Sequence, residues 1–362
     1  MINGKTIAVV LPAYNEAAQI GRVIETMPDF VDRLVIVNDC STDNTAEVVQ
    51  QYSGQLPKRV LPQVVEPESD FYNRADMMVE ELNKKEIRWF APAEVITGDA
   101  GEKIVLINLK ANSGVGSAIA RGYKWAKDHQ IDCTAVMAGD GQMDPRELFS
   151  ICQPVIEEGV DYVKGNRLSH KSAPYLIPQK RFIGNSILSI LTKMASGYWS
   201  VSDTQTGYTA ISLNALQAIP LYRIYPSYGM PNDMLVKLNI ANCTLKEVGI
   251  KPVYNIGEQS KLKVRKVVFP IMGLLVRSFF KRMWTKYLFR DFHPLFILYH
   301  MGLLLLLLSI PYGIKILSIA LAGHDANPLT ALAFMFLFIS GFQSLMFAMW
   351  MDIQNNDRLY RS

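Results

Sequence analysis

The chain has 362 residues, enough for a large core and more than one structural unit, and its formal net charge of +4 is too mild to imply a nucleic-acid partner. Its four cysteines (Cys40, Cys133, Cys152 and Cys243) lack paired metal-ligand spacing, which points to free thiols in a reducing compartment rather than a zinc site or a disulfide framework. The N-terminus has no basic segment followed by a long apolar one, so no signal peptide is expected.

Thr6 to Leu11 is a continuous apolar run, the pattern of a strand buried on both faces. Pro12-Ala13-Tyr14-Asn15-Glu16 is expected to end it, with Asn15 as a cap. A helix follows, with Ala17, Ile20, Val23, Ile24 and Met27 on one face. Val31 to Val37 is a second buried strand, leading into Asn38-Asp39-Cys40-Ser41-Thr42-Asp43. Strand, acidic turn and helix recur within a short distance, which predicts βαβ units and a doubly wound sheet. Asp39, at a strand end, is placed to accept hydrogen bonds from a ribose or a base; Asp43 is expected to cap the next helix. Residues 55 to 103 are charged and weakly periodic, and read as a surface insertion with one helix around Arg74 to Lys84.

Ile104 to Leu109 resumes the strand pattern. Asn112-Ser113-Gly114-Val115-Gly116 then opens a helix, where exposed backbone N–H groups suit an anion, although plain capping explains the same residues. Ala135 to Ala138 ends in Gly139-Asp140-Gly141-Gln142, followed by Asp144-Pro145. In open α/β sheets ligands bind outside the carboxyl ends of the strands. Asp140 and Gln142 offer oxygen donors to a hard cation there. The plainer alternative is a strand-to-helix turn capped by Asp144. Tyr162 to Asn166 is a short strand with Arg167 at its end, and Lys180-Arg181-Phe182 opens a helix. Asp203-Thr204-Gln205-Thr206-Gly207-Tyr208 is a polar turn before a strand, and Asp233 lies near the start of another helix.

From Lys261 to Arg290 there are nine Lys or Arg and no Asp or Glu, interleaved with bulky apolar residues. That composition predicts a helix lying in a membrane interface. Leu295 to Leu317 and Leu329 to Met351 are each long and apolar enough to span a bilayer. Lys and Arg flank the pair, and the connector has neither, which predicts cytoplasmic ends and an outside connector.

Together these motifs resemble glycosyltransferase family 2. They are Pro12 to Glu16, Asn38-Asp39 with Ser41 to Asp43, the Asn112-Gly114-Gly116-Gly122 series, and Asp140-Gly141-Gln142 with Asp144-Pro145. Asp203, Gly207-Tyr208, Gly257-Glu258-x-Ser260-Lys261 and the paired spans bring the likeness to polyprenyl-phosphate glycosyltransferases, similar to dolichyl-phosphate mannose and glucose synthases. In two places the chain departs from the family pattern. Ala138 stands where the metal motif often has its first Asp, and Val115 where a basic residue often lies between the glycines.

The resemblance implies an α/β, GT-A-type (Rossmann-like) doubly wound mixed sheet over residues 1–258, with an insertion at about 63–103. A basic juxtamembrane region (259–291), a two-helix transmembrane hairpin (292–352) and a cytoplasmic tail (353–362) complete the chain. It implies inverting, Mg2+- or Mn2+-dependent transfer of a sugar from a nucleotide-diphosphate sugar, UDP-hexose before GDP-mannose, to undecaprenyl or dolichyl phosphate. Catalytic roles fall to Asp140, Asp203 and Asp233. Donor contacts fall to Pro12, Ala13, Tyr14, Glu16, Asp39, Asn112, Gly116 and Asp140, and metal contacts to Asp140 and Gln142. The acceptor phosphate falls to Arg167, Arg181, Ser260 and Lys261. The bilayer is a partner, and a second copy of the chain is left open. Two alternatives stand beside this: transfer to a lipid-linked oligosaccharide, and a catalytically degenerate nucleotide-sugar- or lipid-binding scaffold.

Overall fold

The computed structural model describes residues 1–62, 72–97, 101–176, 179–253 and 264–362. The chain begins β1 (Ile7–Ala13), α1 (Ala17–Glu25), β2 (Arg33–Asn38), α2 (Thr45–Tyr52), α3 (Arg74–Glu86), β3 (Ala93–Thr97), β4 (Ile104–Leu109), α4 (Val115–Asp128) and β5 (Cys133–Val136). It continues α5 (Leu148–Glu157), β6 (Tyr162–Asn166), α6 (Ala173–Leu176), α7 (Gln179–Ser196), β7 (Thr209–Ser212), α8 (Leu213–Ala218), α9 (Met230–Ile240) and β8 (Leu245–Gly249). Last come α10 (Val264–Arg282), a π-helical stretch (Met283–Arg290), α11 (Pro294–Leu321), α12 (Pro328–Asp357) and the short β9 (Tyr360–Arg361).

The strands form one mixed sheet in the order β3-β4-β2-β1-β5-β7-β6-β8-β9. β4, β2, β1 and β5 are mutually parallel. β7 runs antiparallel between β5 and β6, so β6 keeps the direction of β5 and its C-terminal end opens on the same rim. The period-two alternation of the strands feeds two cores. Ala8, Val10, Val35, Val37, Val105 and Ile107 face α4 and α9, while Ile7, Val9, Leu11, Leu34, Ile36 and Leu106 face α1 and α5. Both faces are covered, so the strands read as unbroken apolar runs. Gly122 lets α4 approach the sheet, since a Cβ there would lie 2.4 Å from a Val10 methyl. This is the doubly wound mixed sheet implied by the resemblance.

Three expectations need amending. Pro12 does not end β1, which continues to Ala13 with Pro12 opposite Val37 in the parallel register. The segment read as an insertion holds the expected helix, α3, but also β3, an edge strand paired antiparallel to β4. The basic run before the first span is not wholly a surface: Arg282 and Lys286 are buried against α7, α9 and α12. Their charges find specific partners, which composition alone does not reveal.

α11 and α12 are long and apolar enough to cross a membrane. They pack closely at Gly302 and Gly341, where a Cβ on Gly302 would lie 3.0 Å from the Gly341 carbonyl oxygen. Beyond α12 the chain returns to the large sheet, where β9 pairs parallel to β8 with Leu245 opposite Tyr360.

Candidate active site

The first two β–α turns are stitched into one surface. The Asp39 N–H donates to the Ala13 carbonyl (2.9 Å), Asn15 N–H to Ser41 Oγ (3.0 Å) and Glu16 N–H to Thr45 Oγ1 (3.0 Å). Asn15 adopts a left-handed φ of 55° and accepts from the Thr42 N–H instead of capping α1. Asp43 supplies that cap, accepting from Ala17 N–H with one oxygen and from Thr45 N–H with the other, so one carboxylate serves the starts of both helices. Pro12 and Ala13 close β1, and Tyr14 is exposed beyond them.

Asp39 is buried, and both its oxygens are turned to the glycine loop. Oδ1 accepts from Ser113 N–H (2.7 Å) and Oδ2 from Gly114 N–H (2.8 Å). Burial raises its carboxyl pKa, against the pull of those two hydrogen bonds. The loop is gripped from the far side as well. Gly116 N–H donates to the Pro226 carbonyl (2.8 Å), and a Cβ at Gly116 would sit 2.0 Å from the Tyr225 carbonyl oxygen. Asp233 fixes that covering loop, accepting from Tyr225 N–H (2.8 Å) while paired with Lys237. Gly116 and Asp233, expected at the donor and at the chemistry, are therefore engaged in building the loop. Asn112, one turn earlier, is exposed.

At the centre of the rim, β5 runs into Asp140, whose Oδ1 accepts from Gln142 N–H (3.0 Å) in a turn with Gly141 at φ 74°. Asp144 caps the following 3₁₀ turn, accepting from Arg146 N–H (3.0 Å), as the plainer reading anticipated. The Arg146 guanidinium holds the Asp144 carboxyl below its ordinary range. Two neighbours brace this turn: Met143 Sδ accepts from Ala138 N–H, and the buried Tyr208 hydroxyl donates to the Asp144 carbonyl (3.0 Å).

Beside it, Arg167, expected at the acceptor phosphate, and Asp203, expected at the chemistry, form a pair. Arg167 grips Asp203 with Nε (2.8 Å) and Nη2 (3.0 Å), and its backbone N–H adds a third contact (3.2 Å). Burial works to raise the Asp203 carboxyl, but the Arg167 and Lys164 charges outweigh it and hold the group below its ordinary range. Sequence reasoning missed the two charges behind this pair. Lys164 is buried with its ammonium on the Thr206 carbonyl, and burial lowers it to about 8. Glu247 faces it across the β6–β8 register and accepts from Ser202 N–H (2.9 Å) and Asp203 N–H (2.9 Å). A lysine inside the buried strand Tyr162–Asn166 was the available signal. The Arg181 side chain, Ser260 and Lys261 lie outside the described residues.

Among the described residues no three His, Cys, Asp or Glu gather to hold a metal by themselves. Asp140 with Gln142 still fits a cation of the magnesium type, which takes one or two carboxylates and fills its shell with water and substrate phosphates.

The sequence matches glycosyl transferase family 2 over residues 8–63 and 92–219, just over half of the chain. The unmatched interval contains α3. A UDP-N-acetylglucosamine–dolichyl-phosphate N-acetylglucosaminyltransferase of Methanococcus voltae is 26% identical over 251 residues, 69% of this chain and 86% of that protein. An uncharacterized protein of Methanocaldococcus jannaschii is 24% identical over 254 residues, 70% and 84% of the two chains. Among solved structures, glucosyl-3-phosphoglycerate synthase from Mycobacterium tuberculosis, in complex with Mn2+, UDP and glucosyl-3-phosphoglycerate, is 18% identical. It covers 77% of this chain and 80% of its own, with a TM-score of 0.47.

Proposed function

The chain belongs to glycosyltransferase family 2, and from that premise we propose that it transfers a sugar from a UDP-sugar to a polyprenyl phosphate at the cytoplasmic membrane face, with inversion at the anomeric carbon. One observation carries the lipid acceptor: the glycosyltransferase sheet and two helices of membrane-spanning length are joined through the buried Arg282–Asp352 pair and through the pairing of β8 with β9. The Methanococcus relative, named for UDP-N-acetylglucosamine and dolichyl phosphate, supports this acceptor class and uridine over guanosine.

The acceptor phosphate is anionic at neutral pH, so it attacks without a strong general base. One of its oxygens forms a bond to the anomeric carbon as the bond from that carbon to the diphosphate breaks, and UDP leaves. Direct attack from the opposite face inverts the centre. Arg167 binds the phosphate by charge-assisted hydrogen bonds, and Asp203 orients Arg167 rather than taking a proton. Arg181, Ser260 and Lys261 complete this pocket. Asp140 with Gln142 would hold a divalent cation, which when bound would shield the diphosphate and make it a better leaving group. Pro12 to Glu16 line the donor pocket, while Asp39 and Asp233 hold the glycine loop that closes it near Asn112.

The ends of α11 and α12 that adjoin the sheet lie on the cytoplasmic side, with the connector at Asn327 outside; the flanking basic residues support this orientation. To test the function, purified protein is incubated with labelled UDP-N-acetylglucosamine, magnesium and polyprenyl phosphate in liposomes. Label that enters the organic phase and is released by mild acid is the expected result. Label that stays in the aqueous phase with the lipid present would refute the reading.

A further inference from the structure

Two helices would anchor the catalytic domain through any apolar contact, yet the joint between them is built from buried charge. Arg282 is fully buried and meets Asp352, at the end of α12, with both arms of its fork (Nη1 2.7 Å, Nη2 2.8 Å). The same guanidinium donates to the last carbonyls of α7, Ala195 (3.0 Å) and Met194 (3.0 Å). Gly197 makes the room, since a Cβ there would lie 2.4 Å from Nη1. Asp352 also accepts from Trp199 Nε1 (3.1 Å) and the Tyr287 hydroxyl (2.9 Å). One turn on, Asn356 accepts from Lys286 Nζ and Asn239 Nδ2, tying α12 to α9.

Both routes out of this joint lead to the acceptor end of the site. α7, capped by Arg282, is the helix that carries Arg181 at its start. Past α12, Leu359 and β9 lie along β8, with Leu245 N–H donating to the Leu359 carbonyl (2.7 Å). Two residues further along β8, Glu247 holds the backbone of Ser202 and Asp203, and Asp203 holds Arg167. A buried ion pair adds little to net stability over apolar packing, but it admits a single registry between the elements it joins.

We propose that Arg282–Asp352 and the β9 strand position the active site for its lipid: they fix the height and angle of the acceptor pocket over the bilayer. Arg282 and Asp352 are positioning residues, acting through α7 and β8. The inference rests on the polyprenyl-phosphate reading and adds that geometry at the membrane exit, not contact with the substrate, governs use of a membrane-held acceptor. A soluble acceptor reaches the same pocket without regard to height.

The test uses the full chain in liposomes and compares a long polyprenyl phosphate with geranyl phosphate in solution. Asp352→Asn keeps the shape of the joint and removes its charge; deletion of residues 359–362 removes β9; Trp199→Phe removes one hydrogen bond. UDP affinity and melting temperature are measured alongside. Asp352→Asn and the deletion should lower kcat/KM about tenfold or more on the long acceptor, because small misplacements of a reacting group are costly. On geranyl phosphate the change should stay within about twofold, with UDP affinity unchanged. Equal losses on both acceptors, or none on either, would overturn the proposal and leave the joint a plain anchor. If Asp352→Asn no longer binds UDP, Trp199→Phe decides by the same comparison. A wild-type protein that uses neither acceptor would instead sink the underlying function.

Discussion

Asp203→Asn separates a positioning carboxylate from a catalytic one. The cluster holds two positive groups, Lys164 and Arg167, and two negative ones, Asp203 and Glu247, of which Lys164 and Asp203 are buried. The substitution keeps the shape but leaves one positive charge unbalanced. Breaking a fully buried pair costs about 3–5 kcal/mol. The Arg167 side chain is 26% exposed, so water recovers part of this, and about 2 kcal/mol is expected. For a domain of this size that is a fall of about 4–8 °C in melting temperature. An Arg167 fork that has lost its charged partner should bind the acceptor phosphate less well in ground and transition states alike. KM for the acceptor should therefore rise about tenfold, while kcat changes by less than about threefold. Thermal unfolding in detergent and steady-state kinetics with varied acceptor give both quantities. An unchanged melting temperature and acceptor KM with a collapse of kcat would refute this, placing Asp203 at the reacting atoms.

Asp140→Asn should lower turnover by about two orders of magnitude or more, with the fold intact by circular dichroism; near-normal turnover at saturating magnesium would move the metal elsewhere. Gly116→Ala forces a Cβ against a backbone carbonyl and should cost on the order of 3 kcal/mol in denaturant unfolding; weaker UDP binding with undiminished stability would return Gly116 to the phosphates. Burial holds Lys164 at about 8, whereas an unfolded chain keeps that proton to about 10.4. Between those values the unfolded state binds more protons, so stability rises with pH, by on the order of 3 kcal/mol from this group. Below pH 8 both states carry the proton and the cost of burying it is fully present. Lys164→Met should flatten the rise between pH 8 and 10, and an unaltered slope would contradict the assignment.

Much of the fold was legible because its information is local. The apolar runs at Ile7 to Leu11 and Ile104 to Leu109 have one reading, a strand covered on both faces, and glycine-flanked Asp140 marks where one such strand meets solvent. The partners of charged residues were not legible. Lys164 and Glu247 lie far apart in sequence and meet only through the β6–β8 register, and Arg282 and Asp352 are separated by two spans. In sequence, Arg282 is one more cation in a basic run, and the surface reading of that run follows from composition. Gly114 and Gly116 are ambiguous for a different reason. A glycine pair at a helix start fits an anion and fits a tightly packed loop equally, and the close approach of the Tyr225–Pro226 backbone to Gly116 could not be read from the sequence. β9, two residues long, carries no pattern of its own.

Transfer of the sugar alone onto a lipid phosphate is read from the phosphorus products. A complete reaction with UDP-N-acetylglucosamine, magnesium and polyprenyl phosphate is followed by phosphorus NMR. UDP and a lipid phosphodiester should grow in equal amounts, and neither should form without the lipid. Release of UMP with a lipid diphosphate, or of UDP with no lipid product, would contradict it.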